Sequence, residues 1–319
     1  MMATQTAPLP LLIMGYGAFG QALAQALHSR GDILIDVFCR RPVEADQAFP
    51  GVARFLHDLA SVDLAAYEVI ILAVPSGALA AVLDRLPAAG TQATVLSCVK
   101  GMDAETHDFP TDLIAQHLPG HAVGMLSGPT FAGEMLAGHR AWMSLGCTDL
   151  ALGEDLARRL SGPLLAVSAN GDLRGLEIIS VAKNIIAIGA GLSEGLGLGE
   201  NTRASYVARG IVELQRLLPS LGGQADTVMT PGGLGDLVLT CTSPQSRNYR
   251  FGVDLGRRLA GPVAIGPTGP VPLAEGSRSI AAFLAFIRRA GAASPYFEGL
   301  AAAMAQPQEM AARLLATIG

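Results

Sequence analysis

The chain is poor in charge. Of its 319 residues only 15% are charged and 5% aromatic, with one tryptophan, while half are hydrophobic and mean hydropathy is +0.40. A chain this apolar collapses, which excludes disorder. It nevertheless lacks an uninterrupted apolar run of about 18 residues, the length a bilayer demands. The nearest candidates are 10–27, broken by Gly15, Gly17 and Gly20, and 176–192, which carries Glu177, Lys183 and Asn184. No transmembrane segment is therefore expected. The first 27 residues also lack the positive region of a secretory signal, since no Lys or Arg precedes Arg30. Cysteine is scarce as well: Cys39, Cys98, Cys147 and Cys241 lie far apart with no Cys-x-x-Cys pair. That spacing argues against a metal site or a disulfide framework and fits a reducing cytoplasm. A net charge of -5 offers no basic stripe, so no nucleic-acid partner is expected.

The scarcest feature is lysine. Of 22 basic residues, 20 are Arg and two are Lys, at positions 100 and 183. Arg stays charged at any useful pH, whereas a buried ammonium loses pKa and can give up a proton. Both lysines are thus candidates for chemistry.

What is present is an ordered alternation. Apolar runs of strand length occur at 10–14, 33–38, 69–74, 94–98, 122–126 and 141–146, with helical stretches such as 18–30 and 77–86 between them. Strands alternating with helices predict a parallel sheet covered on both faces. After about residue 172 the pattern becomes long Ala/Leu/Ile-rich helical periodicity over 173–192, 202–219, 248–260, 275–290 and 296–316. The expected architecture is an α/β Rossmann-type N-terminal domain with a parallel-rich sheet, residues 1–172, followed by an all-α C-terminal domain, residues 173–319. A Pro/Gly-rich stretch at 261–272 reads as a loop.

Several motifs fall where this architecture would place ligands. Gly15-Tyr16-Gly17-Ala18-Phe19-Gly20 follows the first strand and opens a helix, the context in which Gly-x-Gly-x-x-Gly binds a dinucleotide. Its glycines allow a tight turn, approach of a pyrophosphate and close helix–strand packing. Asp36 sits inside the second strand, whose end reads Cys39-Arg40-Arg41-Pro42. Two guanidiniums there favour NADP(H), with NAD(H) possible. Val74-Pro75-Ser76, Val99-Lys100-Gly101-Met102 and Ser127-Gly128-Pro129-Thr130 end three further strands, the side of an open sheet on which ligands bind. Lys183 and Asn184 interrupt an otherwise apolar helix, a costly position for a charge unless it is paired or its pKa is lowered. Asp236 and Thr240 are four apart and share a helix face. Ser246-Arg247-Asn248 forms a compact donor set suited to phosphate.

Together these segments resemble NAD(P)-dependent glycerol-3-phosphate dehydrogenase of the bacterial type. The likeness runs through residues 15–20, 74–76, Lys100-Gly101, 127–132, 183–191, the Gly195–Gly199 turn before Asn201, 233–242, 246–248 and Glu275-Gly276. The run Leu-Gly-Asp-Leu-Val-Leu-Thr-Cys-Thr (234–242) is the most specific. The resemblance implies reduction of dihydroxyacetone phosphate to sn-glycerol 3-phosphate for phospholipid synthesis. It makes Lys183 the catalytic acid/base, with Lys100, Asn184, Asp236 and Thr240 beside it. It assigns the phosphorylated small-molecule substrate to Lys100, Gly128, Thr130, Lys183, Asp236, Ser246, Arg247 and Asn248. Ala18, Phe19, Arg40, Arg41, Lys100, Ala132, Arg247, Leu273 and Glu275, with Gly15, Gly17 and Gly20 of the glycine motif, are expected at the cofactor. A homodimer is expected by the same likeness, and no metal. Two other readings stay open at this level: a related reductase of an unphosphorylated keto acid, which Arg247-Asn248 argues against, and a non-catalytic dinucleotide-sensing module, which Lys183 and Asp236 argue against.

Overall fold

Leu11, Leu12, Ile13 and Met14 are all fully buried, a state that successive strand residues reach only when both faces of their sheet are covered. They belong to β1 (Leu9–Met14) in a computed structural model that describes residues 7–44, 47–87, 92–103, 106–260, 275–305 and 309–317. The chain divides into two compact units, Met1–Val99 with Asp108–Leu173, and Lys100–His107 with Arg174–Gly319.

The first unit holds β1, α1 (Ala18–His28), β2 (Ile33–Phe38), β3 (Val52–Leu56), β4 (Val69–Leu72), α2 (Leu79–Leu83), β5 (Thr94–Ser97), α3 (Pro110–His117), β6 (Val123–Ser127), α4 (Ala132–Leu136), β7 (Ala141–Cys147), α5 (Leu150–Leu160) and β8 (Leu165–Asn170). One sheet runs β3-β2-β1-β4-β5-β6-β7-β8. Its neighbours pair in parallel throughout except β6 with β7. The first six strands thus have the doubly wound order of a dinucleotide-binding domain. Alternation along β1 feeds two cores. Leu9, Leu11 and Ile13 pack with Leu23 of α1, Met135 of α4 and Leu156 of α5. Leu12 and Met14 pack on the other face with Leu79 of α2 and Ile114 of α3.

The second unit contains α6 (Leu173–Gly195), α7 (Glu200–Leu217), α8 (Asp236–Thr242), α9 (Arg247–Ala260), α10 (Glu275–Arg289), α11 (Pro295–Ala305) and α12 (Met310–Ala316). Its organising element is α6, which is apolar all round, as a helix buried on every side must be. It is long and apolar enough to span a bilayer, yet its apolar window is wholly buried within the protein. Other helices approach it at glycines. A Cβ on Gly252 of α9 would lie 2.1 Å from the Ile188 carbonyl oxygen, and one on Gly191 would lie 2.0 Å from that of Tyr249. The two backbones touch, leaving no volume for a side chain at either position.

The α/β and all-α division agrees with the expectation from sequence, and the expected strands and helices form within a few residues. Two strands and two helices of the first unit were not among the expected elements. β3 is an edge strand of half-buried and exposed residues, and β8 reads Leu-Ala-Val-Ser-Ala-Asn, weak in β-branched residues. α3 has eight residues, too short for periodicity to stand out; α5 has eleven, like α1, and its signal is the Asp149 cap that opens it. Helix 77–86 contracts to α2 preceded by a single 3-10 turn. The single helix expected over 296–316 is two, α11 and α12, and the loop expected at 261–272 lies outside the described residues.

Because overpacking a seam of touching backbones costs about 1–3 kcal/mol or more, Gly252→Ala is expected to lower the urea unfolding midpoint of the protein. Gly133→Ala in α4, where a Cβ meets nothing within 4 Å, should leave it unchanged or slightly raised.

Candidate active site

Lys183 lies midway along α6 and is buried. Removal from water disfavours its charge and is the main cause of a pKa pushed down to about 8, with the nearby Lys100 ammonium acting in the same direction. Opposing them is Asp236, the first residue of α8, whose Oδ1 lies 2.6 Å from Lys183 Nζ. The other carboxylate oxygen, Oδ2, accepts from Lys100 Nζ at 3.0 Å. Burial alone would raise the Asp236 carboxyl, but the two ammoniums hold it below the usual carboxylate range. One acid thus bridges both lysines of the chain.

Local structure fixes these groups. The Thr230 hydroxyl accepts from the Gly233 amide at 3.1 Å and starts a single π turn, Pro231–Gly235, that runs into α8. One helical turn further, Thr240 Oγ1 donates to the Asp236 carbonyl at 2.6 Å and accepts from Lys183 Nζ at 3.2 Å. The four-residue spacing therefore puts both groups on the face that meets Lys183. Lys100 follows β5, and Gly101 after it takes φ +124°, a conformation that favours glycine.

Asn184 and Asn248 are joined through the start of α10. The Gly276 amide donates to Asn248 Oδ1 at 2.9 Å, and a Cβ on Gly276 would lie 2.6 Å from the Asn184 carbonyl oxygen. Ser246 spends its hydroxyl as the cap of α9, accepting from the Tyr249 amide at 3.2 Å. Beside it Arg247 is exposed, and its guanidinium has no ion-pair partner among the described residues. A part-buried link that the sequence did not signal lies two residues on: Tyr249 bonds Glu194 and Arg203, partners distant in the chain. Glu275 is the first residue of α10, and Leu273 lies outside the described residues.

In the first unit the glycine motif has the geometry a pyrophosphate requires. Gly15 turns with φ +115°, and Gly20 packs so closely that a Cβ would lie 2.0 Å from the Gly15 carbonyl oxygen. Gly17 caps α1 with no side-chain hydrogen bond to the free amides, and the space a Cβ would enter there is empty to 4 Å. Ala18 is exposed and Phe19 half-buried. Uncapped amides, an open approach and no acid in the first turn of α1 fit a dinucleotide phosphate. Arg40 and Arg41 are exposed just beyond β2. Asp36 is spoken for inside the sheet: its Oδ2 accepts from Arg54 Nη2 at 2.6 Å and from the Tyr67 hydroxyl at 2.8 Å. Gly128 is pressed against β7, where a Cβ would lie 2.3 Å from the Trp142 carbonyl oxygen, and Thr130 Oγ1 donates to the Gly128 carbonyl at 3.1 Å. Ala132 begins α4.

A doubly wound sheet with an open glycine turn, and a helical unit enclosing a lysine of lowered pKa, define a nicotinamide-dependent oxidoreductase. Comparison with known proteins makes this particular. The N-terminal family model of NAD-dependent glycerol-3-phosphate dehydrogenase matches residues 10–152 and its C-terminal counterpart residues 172–313. Glycerol-3-phosphate dehydrogenase [NAD(P)+] of Caulobacter vibrioides is 38% identical over 92% of both chains. The protein of that name from Sinorhizobium fredii is 39% identical over 77% of this chain and 78% of its own. The crystal structure of glycerol-3-phosphate dehydrogenase from Coxiella burnetii superimposes with a TM-score of 0.80 at 29% identity, covering 97% of this chain and 99% of that one. The chain belongs to the NAD-dependent glycerol-3-phosphate dehydrogenase family, and it is an NAD(P)-dependent oxidoreductase.

Removing one member of a buried ion pair leaves an uncompensated charge, at a cost of about 3–5 kcal/mol. Asp236→Asn is therefore expected to lower the unfolding midpoint and to push the Lys183 pKa further down. Because a lysine whose folded pKa is depressed binds more protons when unfolded, its contribution to stability rises with pH between the two values. For the native protein that window runs from about 8 to 10.5. In Asp236→Asn it should open at lower pH, which urea titrations at pH 7, 8 and 9 would detect.

Proposed function

We propose that the protein catalyses the reversible reduction of dihydroxyacetone phosphate to sn-glycerol 3-phosphate with a nicotinamide dinucleotide, acting in the cytoplasm as a homodimer and supplying phospholipid synthesis. The observation that carries the chemistry is the buried Lys183–Asp236–Lys100 cluster within a chain of this family. The 1–172 segment is read as the dinucleotide-binding domain and 173–319 as the helical substrate and catalytic domain.

When bound, the dinucleotide supplies the hydride that adds to the C2 carbonyl. As the carbonyl carbon accepts that electron pair, its oxygen becomes an alkoxide that needs a proton and, before that, a compensating charge. Lys183 provides both. Its ammonium stabilises the growing charge and then transfers a proton from Nζ to O2, leaving a neutral amine that solvent reprotonates. A pKa near 8 suits this task, because an acid works best when its pKa lies near the working pH. Asp236 and Thr240 hold Nζ in place, and Lys100, fixed by the other oxygen of Asp236, adds a second cation. Asn184 lies beside the acid on α6.

The substrate phosphate is read as bound by Arg247, with Asn248, Lys100 and the Ser246 turn beside it. Arg offers a planar fork matched to phosphate, and the exposed Arg247 guanidinium supports that role. Gly128 and Thr130 are assigned to substrate through the family pattern alone, since both are engaged locally. The dinucleotide is assigned to the glycine turn, Ala18, Phe19, Lys100, Ala132, Arg247, Leu273 and Glu275. Arg40 and Arg41 are placed at the 2′-phosphate of NADP(H); Asp36, the acid that would favour NAD(H), is buried inside the strand with its Oδ2 engaged by Arg54 and Tyr67.

The defining experiment is NADPH oxidation with dihydroxyacetone phosphate, run beside an unphosphorylated keto acid; turnover of the keto acid alone would overturn the reading. Lys183→Ala should cut turnover by about 10²–10⁴-fold with NADPH affinity nearly unchanged by fluorescence titration. Native reduction should fall as pH rises through about 8, where Lys183 loses its proton. Replacing Arg40 and Arg41 together by Ala should weaken binding of 2′,5′-ADP far more than that of 5′-AMP in calorimetry, and equal losses would exclude the 2′-phosphate role.

A further inference from the structure

The proposed phosphate-binding turn is the beginning of α9, yet Arg247 itself is held by nothing among the described residues. Its neighbour Tyr249 is anchored more firmly. The Tyr249 hydroxyl donates a hydrogen bond to Glu194 Oε2 at the end of α6. Arg203 Nη1, in the first turn of α7, donates both to that carboxylate oxygen at 2.6 Å and to the Tyr249 hydroxyl oxygen at 2.7 Å. Tyr249 is 3% exposed, while Arg203 and Glu194 are partly open to solvent; burial first, then the Glu194 bond, push the Tyr249 pKa up to about 12.

The clamp reaches the turn through the backbone. The Tyr249 amide donates to the Ser246 hydroxyl, closing a loop around Arg247 and Asn248. The Tyr249 carbonyl rests on Gly191, with no space for a Cβ between them. Asn248 is fixed from the opposite side by the Gly276 amide. Without the bonds of the Tyr249 hydroxyl, the first turn of α9 and the Arg247 fork on it would be tied to α6 through these backbone contacts alone. The helix carrying Glu194 is also the helix carrying Lys183, so the clamp sets the phosphate donors relative to the acid.

We propose that Tyr249, through Glu194 and Arg203, is a positioning residue for the phosphate-binding turn and determines affinity for the phosphorylated end of the substrate rather than the rate of proton transfer. This rests on the reading of Arg247 and Asn248 as phosphate ligands. The two glycines of the α6–α7 connection, Gly197 and Gly199, adopt φ +70° and +87° and let the chain turn sharply enough to bring Arg203 back against Glu194.

The test compares Tyr249→Phe, which removes only the hydroxyl, with the native enzyme on dihydroxyacetone phosphate and on unphosphorylated dihydroxyacetone. The expected result is a KM for dihydroxyacetone phosphate raised about tenfold, the loss of a hydrogen bond to a charged group. The kcat should stay within about twofold, and kcat/KM for dihydroxyacetone should not change. Glu194→Ala should behave like Tyr249→Phe, whereas Glu194→Gln, which keeps an acceptor for the hydroxyl, should retain most of the affinity. Calorimetric titration with glycerol 3-phosphate should show the same order. An unchanged KM, or an equal loss on both substrates accompanied by a lower melting temperature, would overturn the proposal, since a merely structural role moves both substrates alike. Native enzyme that neither reduces dihydroxyacetone phosphate nor binds glycerol 3-phosphate would refute the functional reading itself and the role of Tyr249 with it.

Discussion

A single buried carboxylate between two ammoniums is the constraint on which the rest of the second unit depends. Lys183 sits in a helix that is apolar on every face, where an isolated cation would be prohibitively costly. Asp236 makes the position tenable, and Lys100 completes the arrangement. Lys183 is the more deeply buried of the two lysines, and burial pushes its pKa down to about 8. Burial supplies the downward push and Asp236 limits it, leaving a lysine that holds its proton near neutrality yet can release it.

That balance requires accurate placement, and the placement is made by backbone. The seam between α6 and α9 at Gly191 and Gly252, and the contact of Gly276 with the Asn184 carbonyl, leave no room for side chains to act as spacers. Helices that touch in this way have few alternative packings, because interiors are dense and tolerate small displacements poorly. The same contacts order Asn248 and the first turn of α9. Lys183, Asp236 and the Arg247–Asn248 turn, the groups proposed above as acid, its carboxylate partner and phosphate donors, are thus all placed against one element, α6.

Much of this was legible in the sequence, and the reasons differ from element to element. The Gly15–Gly20 turn could be read because its three glycines each answer a separate steric need in a strand-to-helix junction. Lys183 stood out because a charge in an apolar helix violates the pattern around it, and Asp236 with Thr240 because their spacing matches a helical turn. β3 and β8 were not legible: an edge strand such as Val52–Leu56 is half exposed, and its identity comes from pairing with β2 rather than from its own residues. The bridge from Asp236 to Lys100 spans 136 residues, and those from Tyr249 to Glu194 and Arg203 span 55 and 46. No local pattern encodes such partners, although residue type showed which groups would need them.

The division of labour between lysine and arginine follows from the same physics. Arg30 forks onto Asp32 while bonding the carbonyls of Arg158 and Ser161; Arg54 forks onto Asp36; Arg216 joins Glu213 to the Ala293 carbonyl. Each of these positions needs a permanent charge with several donors in fixed directions, which guanidinium provides and ammonium does not. At position 183 the requirement is the opposite. In the proposed reaction a guanidinium there would remain protonated throughout and could stabilise an alkoxide but never neutralise it. The near absence of lysine is therefore informative: where arginine serves the structural positions, the two retained lysines meet at one carboxylate, and under the proposed mechanism the more buried of them is the one from which the proton leaves.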